Sequence, residues 1–136
     1  ELRLSNLYLA GRFPVEAMPN LLSRADVLLV TLADRQIFAA TVPNKIQAYM
    51  AVGRPIIASM NGEGARLVQE AEAGFSVPAE DGKALADAIL KLHSMPQTER
   101  ERLGNNGQRY YRQHFDHEKL VDDLMGHLMK AVKARQ

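Results

Sequence analysis

Pro43-Asn-Lys-Ile-Gln-Ala-Tyr-Met-Ala-Val52 runs directly into Gly53-Arg-Pro-Ile-Ile-Ala58. The first segment reads as a helix. Pro43 suits a first-turn position, and Gly53 suits the residue just past the end. From Pro55 the chain turns into a short strand that is apolar along its length. The same alternation spreads outward on both sides. Asp26-Val-Leu-Leu-Val30 and Gly74-Phe-Ser-Val77 read as strands, as does Leu7-Tyr-Leu-Ala10 near the start, ending at Gly11. Helices are expected over Glu16 to Ala25, Ala65 to Ala71 and Lys83 to Leu92, the last capped by Asp81. Two more follow, over Thr98 to Arg112 and His117 to Lys133. Thr31 to Pro43 reads as irregular and long enough to be a functional loop.

Short strands that are apolar throughout, alternating with helices, point to an α/β fold. The expected architecture is a Rossmann-like parallel sheet with helices on both faces. About four strands are counted, fewer than the complete sheet of this class. No internal linker or short-period repeat divides the chain, so residues 1–136 read as one domain.

Composition narrows the functional classes. The 136 residues are 46% hydrophobic, enough for a packed core. Seventeen basic and 16 acidic residues leave a net charge of +1, which provides no electrostatic footprint for nucleic acid. There is no cysteine, so disulfides and thiolate metal sites are excluded, and a reducing cytoplasm fits. No apolar run approaches the roughly 18 to 20 residues of a membrane span. His93, His114, His117 and His127 lack the spacing of a convincing metal set, so no metal and no cofactor are expected.

In sheets of this kind ligands bind beyond the carboxyl ends of the strands, near helix starts. Three loops qualify. Thr41-Val-Pro-Asn-Lys45 ends the long loop and opens a helix, where free backbone N–H groups and the positive dipole end attract phosphate. Lys45 opposes that dipole. A bound anion would explain it; a solvated surface lysine is the alternative. Gly62-Glu-Gly64 permits close backbone approach to a ligand, or forms a tight turn with Glu63 capping the next helix. Arg12-Phe-Pro-Val15 could lay an apolar wall against a base, or simply connect strand to helix. No Ser-His-Asp or Cys-His arrangement identifies a catalytic residue.

Read together, these segments resemble retaining GT-B glycosyltransferases of the branch that builds O-antigen, capsule and other surface polysaccharides. The resemblance is carried by Pro43 to Ile57, with Gly11-Arg-Phe-Pro14, Met18-Pro-Asn-Leu-Leu22, Asn61-Gly-Glu-Gly-Ala65, Glu70-Ala-Glu-Ala-Gly74 and Leu103-Gly-Asn-Asn-Gly107 in the family's order. It implies that the chain is the later part of a C-terminal, nucleotide-sugar-binding domain. The acceptor domain and a glycine-rich phosphate loop would lie outside it, so transfer by this chain alone is expected to be negligible. The resemblance also implies that Thr41, Pro43, Asn44 and Lys45 sit at the pyrophosphate of a UDP- or GDP-linked sugar. Arg12, Phe13, Pro14 and Val15 would contact the base. Many relatives carry a pair of glutamates, the second gripping the ribose. The corresponding positions here are Ala40 and Ala48, leaving Gln47 or Glu63, with Gly62 and Gly64, for the ribose or sugar.

The acceptor would be a glycan or lipid-linked saccharide held by the other domain, which would also supply any contact with the inner membrane. Two other readings stay open: a GT-B-like sugar-nucleotide epimerase, for which no convincing set of catalytic carboxylates or histidines is present, and a non-catalytic nucleotide-binding or interaction half-domain. Finally, Leu120, Val121, Leu124, Met125, Leu128, Met129 and Val132 form a stripe too wide for a solvated helix. It is expected to pack on this half-domain or to associate with another copy.

Overall fold

Short apolar runs become strands here where a neighbouring run pairs with their backbone groups. In the computed structural model, which describes residues 4–134, three runs do so: β1 (Leu28–Thr31), β2 (Ile56–Ser59) and β3 (Gly74–Val77). They pair in parallel in the order β1-β2-β3, with Val30 beside Ala58 and Ala58 beside Ser76. The central strand β2 is buried along its whole length. Edge strand β1 is covered on one face only: Leu28 and Val30 are buried, whereas Leu29 is 43% exposed.

The helices are α1 (Met18–Ser23), α2 (Gln36–Ala39), α3 (Asn44–Val52), α4 (Glu63–Glu70), α5 (Gly82–Ser94), α6 (Gln97–His114) and α7 (His117–Lys133). Helices α3 and α4 bury Ile46, Met50, Leu67 and Val68 against Val30, Ile56 and Ala58. On the opposite face Ala88 and Leu92 of α5 pack with Ile57. Helices therefore lie on both faces, and the α/β reading holds. Helix α6 serves both layers. Leu103 joins the second core, while Tyr110 and Tyr111 pack against the first. It also reaches the last turn of α3 and the turn after α4: Gln108 Nε2 donates to the Ala51 carbonyl at 3.2 Å, and buried Asn106 Nδ2 to the Glu72 carbonyl at 3.2 Å.

Local chemistry sets the helix ends. Gly53 closes α3 in the left-handed conformation, φ 76°. Asp81 Oδ1 accepts the Ala84 N–H at 2.9 Å and caps α5. Asp116 does the same for α7 through the N–H groups of Glu118 and Lys119.

Four expectations are corrected. Leu7 to Ala10 is not a strand; it has no regular structure, and Leu7, Tyr8 and Leu9 are 60%, 87% and 84% exposed. A continuous apolar run satisfies a buried strand only if a neighbouring edge pairs with it, and among the described residues β1 pairs only with β2. The described residues accordingly contain three strands rather than four. The first helix is shorter than Glu16 to Ala25. A 3-10 turn over Val15–Ala17 precedes α1, because Pro19 has no N–H to continue an α-helix backwards. Thr31 to Pro43 is not wholly irregular, since it contains the single turn α2, too short to display a periodic apolar face.

Candidate functional site

The carboxyl edge of the sheet ends at Thr31, Ser59 and Val77. From there the chain leaves into three loops that lie against one another. Leu32 N donates to the Ser59 carbonyl at 3.1 Å, and Met60 N to the Val77 carbonyl at 3.1 Å, so the pairing extends one step past the strands. Asn61 then ties all three loops. Its Nδ2 donates to Asp34 Oδ1 at 2.9 Å, and its Oδ1 accepts the Ala79 N–H at 3.2 Å.

Gly62 follows in a conformation open only to glycine, φ 83° and ψ −147°. A Cβ there would lie 2.0 Å from the Ala39 carbonyl oxygen. The start of α4 thus abuts the end of α2, just before Thr41. Gly64 is buried, and a Cβ on it would crowd Met60 and Ile46. Close packing of α4 on α3 therefore accounts for this glycine.

The segment Thr41 to Lys45 is brought next to this junction. The Thr41 hydroxyl donates to the Ile37 carbonyl at 2.7 Å and closes α2. Pro43 occupies the N-cap position of α3, and no side chain caps the helix. Among the described residues the first-turn N–H groups of Asn44 and Lys45 consequently have no side-chain acceptor. Both side chains are exposed, and Lys45 is in no ion pair among the described residues. Gln47 is half-buried one residue beyond Ile46. Ala40 ends α2 and Ala48 sits within α3, both exposed.

Glu63 does not cap α4 with its side chain. Its carboxylate instead meets Arg66 at 2.6 Å, and Arg66 reaches Glu70 at 2.9 Å. The hydrogen bond from Arg66, reinforced by its charge, holds the Glu63 carboxyl below its ordinary pKa. Arg12, Phe13, Pro14 and Val15 are exposed, and no hydrogen bond links them to the other two loops among the described residues. Two of the three expected loops are thus contiguous, and the third stands apart.

A family model for glycosyl transferases group 1 matches residues 2–95. The chain belongs to the group 1 glycosyl transferases. No curated protein and no solved structure matches it. The matched span takes in β1 to β3 and α1 to α5 and stops before α6 and α7.

For this group 1 glycosyl transferase, two shallow clefts border the tied loops. One, of about 340 Å³, lies between Thr31, Ser59 and Asp81; the other, of about 360 Å³, lies between Asn61, Arg66 and Ser76. A larger hollow of about 460 Å³ opens at the opposite, amino edge, beside Asp26, Arg54 and Arg100. Its guanidinium groups are engaged structurally, Arg54 with the Ser23 carbonyl and Arg100 with that of Met95. The carboxyl edge is therefore the better candidate. His114 stacks on Tyr110 with ring centroids 4.2 Å apart. Among the described residues no three His, Asp or Glu side chains converge as a metal set would.

Asn61 was not singled out from the sequence as a residue of its own. Asparagine between a strand and a Gly-x-Gly turn is a signal for a loop, but not for which loops it joins. The Glu63–Arg66–Glu70 chain was legible in principle from the spacing of charges on one helical face.

Proposed function

We propose that this chain forms the donor-binding part of a retaining GT-B glycosyltransferase. The complete protein transfers a sugar from a nucleotide sugar, UDP- or GDP-linked, to a saccharide or lipid-linked acceptor during surface-polysaccharide assembly, with the acceptor held by another domain. The observation that carries this reading is the uncapped start of α3, with Lys45 in its first turn, at the carboxyl edge of a parallel sheet.

In this reading the first-turn N–H groups of α3 and the Lys45 ammonium hold the diphosphate. Charge accumulates on that diphosphate as the bond from the sugar to it breaks. Fixed donors stabilise that charge without reorganising, which lowers the barrier to transfer. Thr41 borders the same position, and Gln47 or Glu63 serves the ribose or sugar. The base rests against Arg12 to Val15, and no bound metal is required. Asn61 keeps the surrounding loops in register.

Calorimetric titration with UDP, GDP and ADP and with their sugars tests the reading. One nucleotide is expected to bind best, and Lys45→Ala to weaken it by about tenfold or more, the loss of a charge-assisted contact. Unchanged affinity in Lys45→Ala would remove this helix start from the site.

A further inference from the structure

Glu63 stands between two contacts that bracket the segment Thr41 to Lys45. On one side Gly62 abuts Ala39, where a Cβ would lie 2.0 Å from the carbonyl oxygen. On the other Gly64 lies against Ile46, where a Cβ would lie 3.0 Å from Cδ1 of the side chain. The first residue of α4 is therefore fixed beside the opening turn of α3. Its carboxylate is fixed as well. Arg66 Nε and Nη2 both donate to Glu63 Oε2, at 3.1 and 2.6 Å. The other oxygen, Oε1, accepts no hydrogen bond among the described residues.

Arg66 is itself held from behind. Its Nη1 donates to Glu70 Oε2 at 2.9 Å, and the second oxygen of Glu70 accepts the Tyr110 hydroxyl at 2.9 Å. Tyr110 belongs to α6 and packs on the first core. A line of bonds thus runs from the body of the fold to one open carboxylate oxygen. Charges three and four residues apart are enough to brace an exposed helix. The anchor on another helix, and the oxygen left open at the carboxyl edge of the sheet, go further than bracing requires.

We propose that Arg66 is a positioning residue that aims Glu63 Oε1 at a ring hydroxyl of the nucleotide-sugar donor, on its ribose or on the sugar to be transferred, an inference that rests on the donor-site reading. It assigns the hydroxyl contact to Glu63 rather than Gln47. A carboxylate oxygen accepts and cannot donate, so it selects hydroxyl groups. The phosphates go to Lys45 and the N–H groups of α3 in the same reading. Because Glu63 is already ordered, little side-chain freedom is lost there on binding.

Calorimetric titration of the chain tests the proposal. The probes are UDP, GDP, their dideoxy analogues, which lack the ribose hydroxyls, and UDP-glucose and GDP-mannose. In the parent the hydroxyls are expected to add about tenfold or more to affinity. The gain is read as a preference for ribose over dideoxyribose, or for the sugar nucleotide over the diphosphate. Glu63→Ala should abolish whichever preference Oε1 serves, which tells ribose from sugar, and leave the ligand without those hydroxyls bound as before. Arg66→Ala should remove most of the same preference. The double variant should lose no more than Glu63→Ala alone, since one contact is removed. Thermal melts should barely move, because these ion pairs are exposed. A parent without either preference overturns the proposal, as does a preference that survives Glu63→Ala or is lost in Gln47→Ala instead. A preference untouched by Arg66→Ala overturns the positioning role. Failure of the donor-site reading looks different: Lys45→Ala would leave every affinity unchanged, whatever Glu63→Ala did. A chain that binds none of the probes overturns both.

Discussion

Asn61 Nδ2 donates to Asp34 Oδ1 at 2.9 Å, joining the loop after β2 to the loop after β1. The same side chain accepts from Ala79 N in the loop after β3. Asn61→Ala is expected to cost about 1 kcal/mol, as two exposed hydrogen bonds are exchanged for water. The larger effect should be local. Amide hydrogen exchange should quicken around Asp34 and Ala79 while the strands stay protected. Uniform exchange across all three loops, unchanged from the parent, would count against the tie.

Gly62 allows a sharper prediction. Any side chain there meets both a forbidden backbone conformation and the Ala39 carbonyl. Gly62→Ala is expected to destabilise the fold by about 2–4 kcal/mol. Chemical denaturation measures this directly, and a loss under 1 kcal/mol would mean that the two loops part easily.

Lys45 sets stability against binding. A cation in the first turn of α3 opposes the helix dipole, so Lys45→Glu should stabilise the free protein by about 0.3–1 kcal/mol. The same substitution should weaken nucleotide binding more than Lys45→Ala does. A thermal melt and a titration on one sample separate the two effects. A Lys45→Glu protein that binds as well as the parent would leave Lys45 with a surface role.

Stability should fall at alkaline pH through two phenols. Burial raises the pKa of Tyr49 above its ordinary value of 10.0. Burial also raises that of Tyr110, reinforced by its hydrogen bond to Glu70 at 2.9 Å. The unfolded chain therefore releases these protons first. Their contribution is complete below the ordinary tyrosine value and is lost as pH rises through the higher folded values. The denaturation midpoint should decline above about pH 10, and Tyr49→Phe with Tyr110→Phe should flatten that decline.

Much of this fold could be read from the chain because its signals are local. Gly53 ends α3, Asp81 caps α5, and His117 to Lys133 is helical over the expected span. The apolar runs of β1, β2 and β3 are strands for the same reason. The shortened first helix and the single turn α2 have local causes, but the lost strand and the missed contacts concern partners. Leu7 to Ala10 has the composition of a buried strand but does not pair with the outer edge of β1. The bond from Asn106 to the Glu72 carbonyl depends on how α6 lies across the sheet, which no window of sequence contains. At the candidate site, Thr41 to Lys45 and Gly62 to Gly64 were each legible as helix starts. That Gly62 abuts Ala39 and Gly64 lies against Ile46, on either side of Thr41 to Lys45, was not, because this approach is set by the parallel register of β1 and β2. Arg66 is a case where the spacing was present in the sequence and its meaning lay in geometry: one guanidinium serves both Glu63 and Glu70.

Helix α6 governs the order of events during synthesis. The ribosome releases β1, β2 and β3 long before Leu103, Asn106 and Tyr110 emerge. Until then Ile57 lacks one of its packing partners, and the Glu72 carbonyl lacks its donor. The nascent sheet must therefore wait, incompletely covered, for a helix made after it. A ribosome stalled just past α5 would hold a sticky intermediate for chaperones, and release of α6 from the exit tunnel would be the step that commits the chain to its native state.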